Sequence, residues 1–123
     1  MQVFTWMFAA LNSVEPYLAN LAELLGAPAN ASWTVERRPA LEDTALKRLH
    51  DVDAWLAGRD YLAGSFSVAD ILMTTVLRLL DATDLVERFA ALSAYKTRCM
   101  ARPAFRKALT DQVALYSPVA ASA

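Results

Sequence analysis

Phe66-Ser67-Val68-Ala69-Asp70-Ile71, with the apolar run Leu72-Met73-Thr74-Thr75-Val76-Leu77 behind it, decides the fold. Ser67 reads as a helix N-cap and Asp70 as the acidic residue at N3, the pattern of a reciprocal capping box. Phe66 and Ile71 fall at the N′ and N4 positions of a hydrophobic staple. Phe66, Ser67, Asp70 and Ile71 are therefore structural capping residues. The helix they start is predicted over 68–82 and is apolar nearly all round, broken by Thr74, Thr75, Arg78 and Asp81. Such a helix is buried on most sides, so the rest of the chain should pack around it.

Outward from this helix, apolar spacing predicts the others. Met7, Leu11, Val14, Leu18, Leu21 and Leu25 recur at three- and four-residue steps and predict a first helix over 1–25. Phe4, Phe8 and Trp6 widen its apolar face. Pro16 removes a hydrogen bond and crowds the Asn12 carbonyl, which predicts a kink near 12–16. Gly26 serves as its stop. The turn-rich composition of 26–38 predicts a loop. Leu41, Ala45, Leu49, Val52 and Leu56 predict a second helix over 39–57, closed by Gly58. Its solvated side holds Glu42, Asp43, Lys47, Arg48, Asp51 and Asp53. Tyr61 and Leu62 should point inward from the connection at 59–65. Thr83 or Asp84 caps a short turn before a fourth helix over 89–101, with Phe89, Leu92, Tyr95 and Cys99 on one face. Pro103 opens a fifth, lined by Phe105, Leu109, Val113 and Tyr116. Ser117 and Pro118 stop it, and 119–123 read as a frayed tail. The expected fold is an all-α helical bundle of about five helices around the buried central helix that starts at Ser67, one domain over 1–123.

Composition narrows the function classes. The 123 residues are 56% hydrophobic, high for a domain of this size, and point to surface that another domain or subunit covers. A net charge of −1 provides no basic footprint for nucleic acid. No run approaches the ~20 apolar residues of a membrane span, and no basic stretch precedes an apolar segment at the N-terminus. The single cysteine, Cys99, excludes an internal disulfide and fits a reducing, cytoplasmic setting.

The stretch Leu62-Ala63-Gly64-Ser65-Phe66-Ser67-Val68-Ala69-Asp70-Ile71, followed by Tyr95 and Arg102-Pro103-Ala104-Phe105, resembles the C-terminal domain of cytosolic glutathione transferases. Trp6-Met7-Phe8-Ala9-Ala10-Leu11-Asn12-Ser13-Val14-Glu15-Pro16 resembles the helix that opens that domain in bacterial members. The resemblance implies an N-terminal thioredoxin-like domain in full-length proteins, which supplies the glutathione site and the catalytic Tyr, Ser or Cys. No part of these 123 residues resembles it. Glutathione is thus the co-substrate of the full-length family and not a cofactor of this chain. The implied partners are a hydrophobic small-molecule electrophile and a thioredoxin-like domain or second subunit, in a homodimer.

No residue here reads as catalytic. Asp70 is a cap, Cys99 lies on an apolar face, and Ser13, Ser65 and Ser93 lack His–Asp partners. His50 stands alone, so no metal site is expected. Binding is best sought on the first helix. Phe8, Leu11, Asn12 and Ser13 lie beside the expected kink, and Phe8 and Asn12 are four apart on one face. An apolar wall with one amide suits a hydrophobic electrophile. The competing reading makes Phe8 core and Asn12 a cap for the turn broken by Pro16. By resemblance, Tyr116 closes the same pocket. The expected function is the electrophile side and part of the dimer interface of a glutathione transferase. The alternative is a non-catalytic interaction module of the same fold.

Overall fold

The computed structural model describes residues 2–116, so the expected stop at Ser117 and Pro118 and the tail lie outside the described residues. The first helix comprises α1 (Gln2–Phe8), a π-helical segment (Ala9–Val14) and α2 (Glu15–Leu25). Then come α3 (Ser32–Leu56), α4 (Val68–Leu77) with a 3-10 turn (Arg78–Leu80), a second 3-10 turn (Val86–Arg88), α5 (Ala90–Met100) and α6 (Pro103–Leu115). The expected all-α bundle is the observed one. Helix α4 packs against α1, the π segment, α2 and α5, while α3 covers α2 and α5.

Where the sequence predicts a kink, the helix widens into a π turn. Pro16 has no N–H to give Asn12, and Glu15 N–H bonds the Ala10 carbonyl five residues back. The changed register alters which side chains face inward. Ala10, Val14, Leu18, Leu21 and Leu24 are buried, whereas Leu11 is 42% exposed. Leu11 thus leaves the apolar line on which its spacing placed it. Gly26 ends α2 at φ −80°, without the left-handed turn usual for a glycine stop.

The expected loop over 26–38 is shorter than predicted. Helix α3 begins at Ser32, and Pro39 lies inside it. Its early turns tolerate the missing N–H because they are solvent-facing, with Thr34 the buried residue before Ala45. Gly58, at φ 77°, makes the left-handed turn that ends α3, a conformation strained for any residue with a Cβ.

The α-helix begun at Ser67 is shorter than its predicted 68–82, tightening into 3-10 geometry at Arg78. It is also less enclosed than its composition implies. Ala69, Asp70, Met73, Thr74, Val76 and Leu77 are buried, but Val68, Ile71 and Leu79 are exposed. Helix α6 has no buried residue, so its expected apolar line docks only through half-buried Phe105 and Leu109. Thr83 Oγ1 accepts from Leu85 N–H at 3.2 Å and donates to the Leu80 carbonyl at 2.8 Å, folding the chain into the second 3-10 turn.

Candidate functional site

Two features could carry function: the polar centre at the start of α4 and the apolar surface beside it. The polar centre is Asp70, which has no solvent exposure. Its Oδ2 accepts from Ser67 N–H at 2.9 Å, and Ser67 Oγ accepts from Ala69 N–H at 3.2 Å. Its Oδ1 accepts from Leu62 N–H at 3.1 Å and from the Tyr95 hydroxyl at 2.7 Å. One carboxylate therefore closes its own helix, holds the preceding loop and fastens α5. With both oxygens engaged by protein donors, it has no proton-transfer task open to it.

The neighbouring groups are equally committed to structure. Burial pushes the Tyr95 hydroxyl and the Cys99 thiol above their ordinary ionisation ranges. Tyr95 thus stays a proton donor to Asp70, and Cys99 stays a neutral thiol rather than a nucleophile. In the unfolded chain these groups ionise near 10.0 and 9.0. Their folded values are raised, so their stabilising effect is intact below pH 9 and is lost as pH rises toward the folded values. Urea midpoints should therefore fall from pH 8 through pH 10, and Cys99→Ala should flatten the first part of that fall. A midpoint unchanged across this range would contradict the burial argument. A thiol reagent should likewise react slowly with Cys99 until urea is added.

The loop between α3 and α4 is pinned from several sides. Trp55 Nε1–H donates to the Leu62 carbonyl at 2.9 Å, so both peptide groups of buried Leu62 are satisfied by side chains. Arg98 Nε and Nη2 donate to the Asp60 carbonyl at 3.1 and 2.9 Å. Two arginines then flank a pair of aromatic rings. Arg98 Cζ lies 5.8 Å from the Tyr61 ring centre, Tyr61 meets Phe66 edge-on at 5.5 Å, and Arg102 Cζ lies 3.6 Å over Phe66. Asp53, expected on the solvated side of its helix, instead reaches α5 and accepts from Leu92 N–H at 2.9 Å. It caps a helix whose own N-cap, Phe89, has no side chain able to do so. Lys96, only 8% exposed, pairs with Asp81 and lies 3.8 Å from Glu87, tying α5 to the end of α4.

The apolar surface comprises Phe4 and Phe8, each 63% exposed, and Leu11 on the first helix. Phe4 and Phe8, four residues apart on α1, share a face, and Leu11 is exposed one turn on, in the π segment. Val68 and Ile71 are exposed on α4, which packs against α1. Exposed Phe8 excludes the reading in which it belongs to the core. Asn12 and Ser13 are exposed beside it on the π segment. Tyr116, 80% exposed, follows the end of α6. Phe8, Leu11, Asn12 and Ser13 are thus all exposed within one short stretch of the first helix, whereas Tyr116 is exposed at the end of the last one. An apolar cleft of about 260 Å³ lies elsewhere, between α4 and α6, and none of these five residues lines it. Spacing alone does not reveal that cleft, because it depends on how far α6 stands from α4.

His50 is exposed and meets Phe89 edge-on at 6.3 Å. Among the described residues no group of three His, Cys, Asp or Glu side chains could hold a metal ion. Nor is any described helix long and apolar enough to cross a membrane. The family model described as "Glutathione S-transferase, C-terminal domain" matches residues 34–103, more than half of the chain. No curated protein shows a significant match to it.

Proposed function

Because the chain belongs to the glutathione S-transferase C-terminal domain family, we propose that it forms the electrophile side of a glutathione transferase and works against a thioredoxin-like partner domain. The observation that carries this reading is the exposed stripe of Phe4, Phe8 and Leu11. Exposing these side chains to water is unfavourable by about 1.5–3 kcal/mol each relative to full burial, so the stripe is favourable only when something apolar covers it. Phe8 and Leu11 supply the wall for a hydrophobic electrophile, with Asn12 and Ser13 as the polar groups that orient it. Tyr116 is assigned to the same pocket by family resemblance. The chemistry is conjugation to glutathione, the family's co-substrate. Its thiolate is activated by the partner domain, because Tyr95 and Cys99 are sealed in the core here. Exposed Trp33 and Val35 at the start of α3 offer surface for a homodimer. The proposed setting is the cytoplasm.

On this reading the purified chain does not conjugate glutathione to an activated chloroarene faster than the uncatalysed reaction. It does bind the chloroarene, with amide shifts concentrated at residues 8–13. Phe8→Ser should weaken that binding about tenfold, the equivalent of losing part of one buried aromatic side chain. Shifts confined to other helices, or turnover by the chain alone, would overturn the assignment.

A further inference from the structure

Helix α6 packs on α5 and stands off α4, and the cleft between α4 and α6 encloses about 260 Å³. Ile71, Thr75 and Arg78 line it from one side, and Phe105, Leu109 and Gln112 from the other. Both triplets are spaced by four and three residues, so each helix turns one continuous stripe toward the space. The lining is mainly apolar and contains no Asp or Glu, although the chain has 13 acidic residues against 12 basic ones. Its charged groups are two guanidiniums, Arg78 and Arg102. Arg78 Nε lies 3.4 Å from Asp81 Oδ2. Arg102 has no carboxylate partner among the described residues, and its Cζ lies 3.6 Å over the Phe66 ring. Stacking holds a guanidinium by its face and leaves its in-plane N–H groups free for an acceptor. Arg102 is also the N-cap residue of α6 and makes no side-chain capping bond, so the positive end of that helix adds to its field.

We infer that the α4–α6 cleft binds a small amphipathic carboxylate. Its anionic head sits on the Arg102 guanidinium, and its apolar body lies between Ile71, Phe105 and Leu109. The stripe from Ile71 to Arg78 runs on the order of 10 Å at helical rise, the scale of a medium-chain carboxylate. The site shares no residue with the Phe8–Ser13 surface and stands or falls separately from it.

Calorimetric titration of the full chain with sodium octanoate and with octan-1-ol tests this. Saturable octanoate binding is expected, weakened about tenfold or more by removing the charge, whether in octan-1-ol or in Arg102→Gln. Ala108→Trp fills the cleft from an exposed position on α6, keeps both arginines and should abolish binding while the circular-dichroism melt is retained. Should Arg102→Gln fail to fold, Ala108→Trp and the alcohol decide the matter. Absent octanoate binding, equal affinity for octan-1-ol, or binding unchanged by Ala108→Trp would each overturn the inference. So would self-association of the chain that excludes octanoate, since a second copy would then be the occupant.

Discussion

Asp70→Ala is expected to lower the unfolding free energy by about 3–6 kcal/mol, a large part of the 5–15 kcal/mol typical of a single domain. Three donors lose their acceptor at once: Leu62 N–H, Ser67 N–H and the Tyr95 hydroxyl. Leu62, Asp70 and Tyr95 have no solvent exposure, so water does not replace the lost bonds without the core opening. Each buried orphan costs about 1–3 kcal/mol, and the desolvated carboxylate is offset only because all three donors converge on it. Asp70→Asn keeps the shape but turns an amide N–H₂ toward donors, so a loss of about 2 kcal/mol is expected. Tyr95→Phe should cost about 1–2 kcal/mol in the wild-type background and much less in Asp70→Ala, where the hydroxyl is already unpaired. Urea unfolding followed at the helical circular-dichroism band measures the wild type, the three single variants and the double variant. A loss in Asp70→Ala below ~1 kcal/mol, or strict additivity with Tyr95→Phe, would refute the three-way junction.

That junction also marks how far the sequence could be read. The pair Ser67 and Asp70 is a local pattern, three residues apart, and local patterns are carried by helix geometry alone. The apolar spacing around Leu49, Val52 and Leu56 is legible for the same reason. Tyr95 lies 25 residues from Asp70 and Asp53 lies 39 from Leu92. No periodicity connects residues at those distances, so both bonds depend on where whole helices cross. Leu11 shows the converse. Its spacing looks regular, but the π segment changes the register and turns it outward. Pro16 signalled the disturbance, although a missing N–H does not by itself choose between a kink and a wider turn. The turn-rich composition of 26–38 hides the start of α3 at Ser32, because the early turns of that helix are exposed and need no apolar line. Phe8 was legible as a binding candidate from its chemistry. Arg102 was legible only as part of a family motif, since its lack of an acidic neighbour is a property of the folded surface.

Trp55→Ala should cost about 3 kcal/mol, the second large effect, and should loosen α1 in particular. Trp55 makes three kinds of contact from one half-buried side chain. Its indole N–H holds the Leu62 carbonyl at 2.9 Å, its ring lies 5.3 Å from Trp6 at 41°, and Arg59 Cζ sits 3.9 Å from its ring centre. Trp55→Phe retains much of the ring packing and orphans the carbonyl, so about 1–2 kcal/mol is expected. Combined with Asp70→Asn, its effect should fall short of the sum, because the two residues hold the backbone N–H and carbonyl of the same residue, Leu62. The functional consequence follows from Trp6, which holds the helix bearing Phe4 and Phe8 against α3. Without its partner ring, α1 is held only by half-buried side chains, Val3, Trp6 and Met7, with no fully buried residue to keep it docked. Amide exchange over residues 2–8 should therefore quicken in Trp55→Ala more than over α5, and less so in Trp55→Phe. Equal acceleration in both helices would mean that Trp55 supports global stability alone and has no special hold on the apolar stripe.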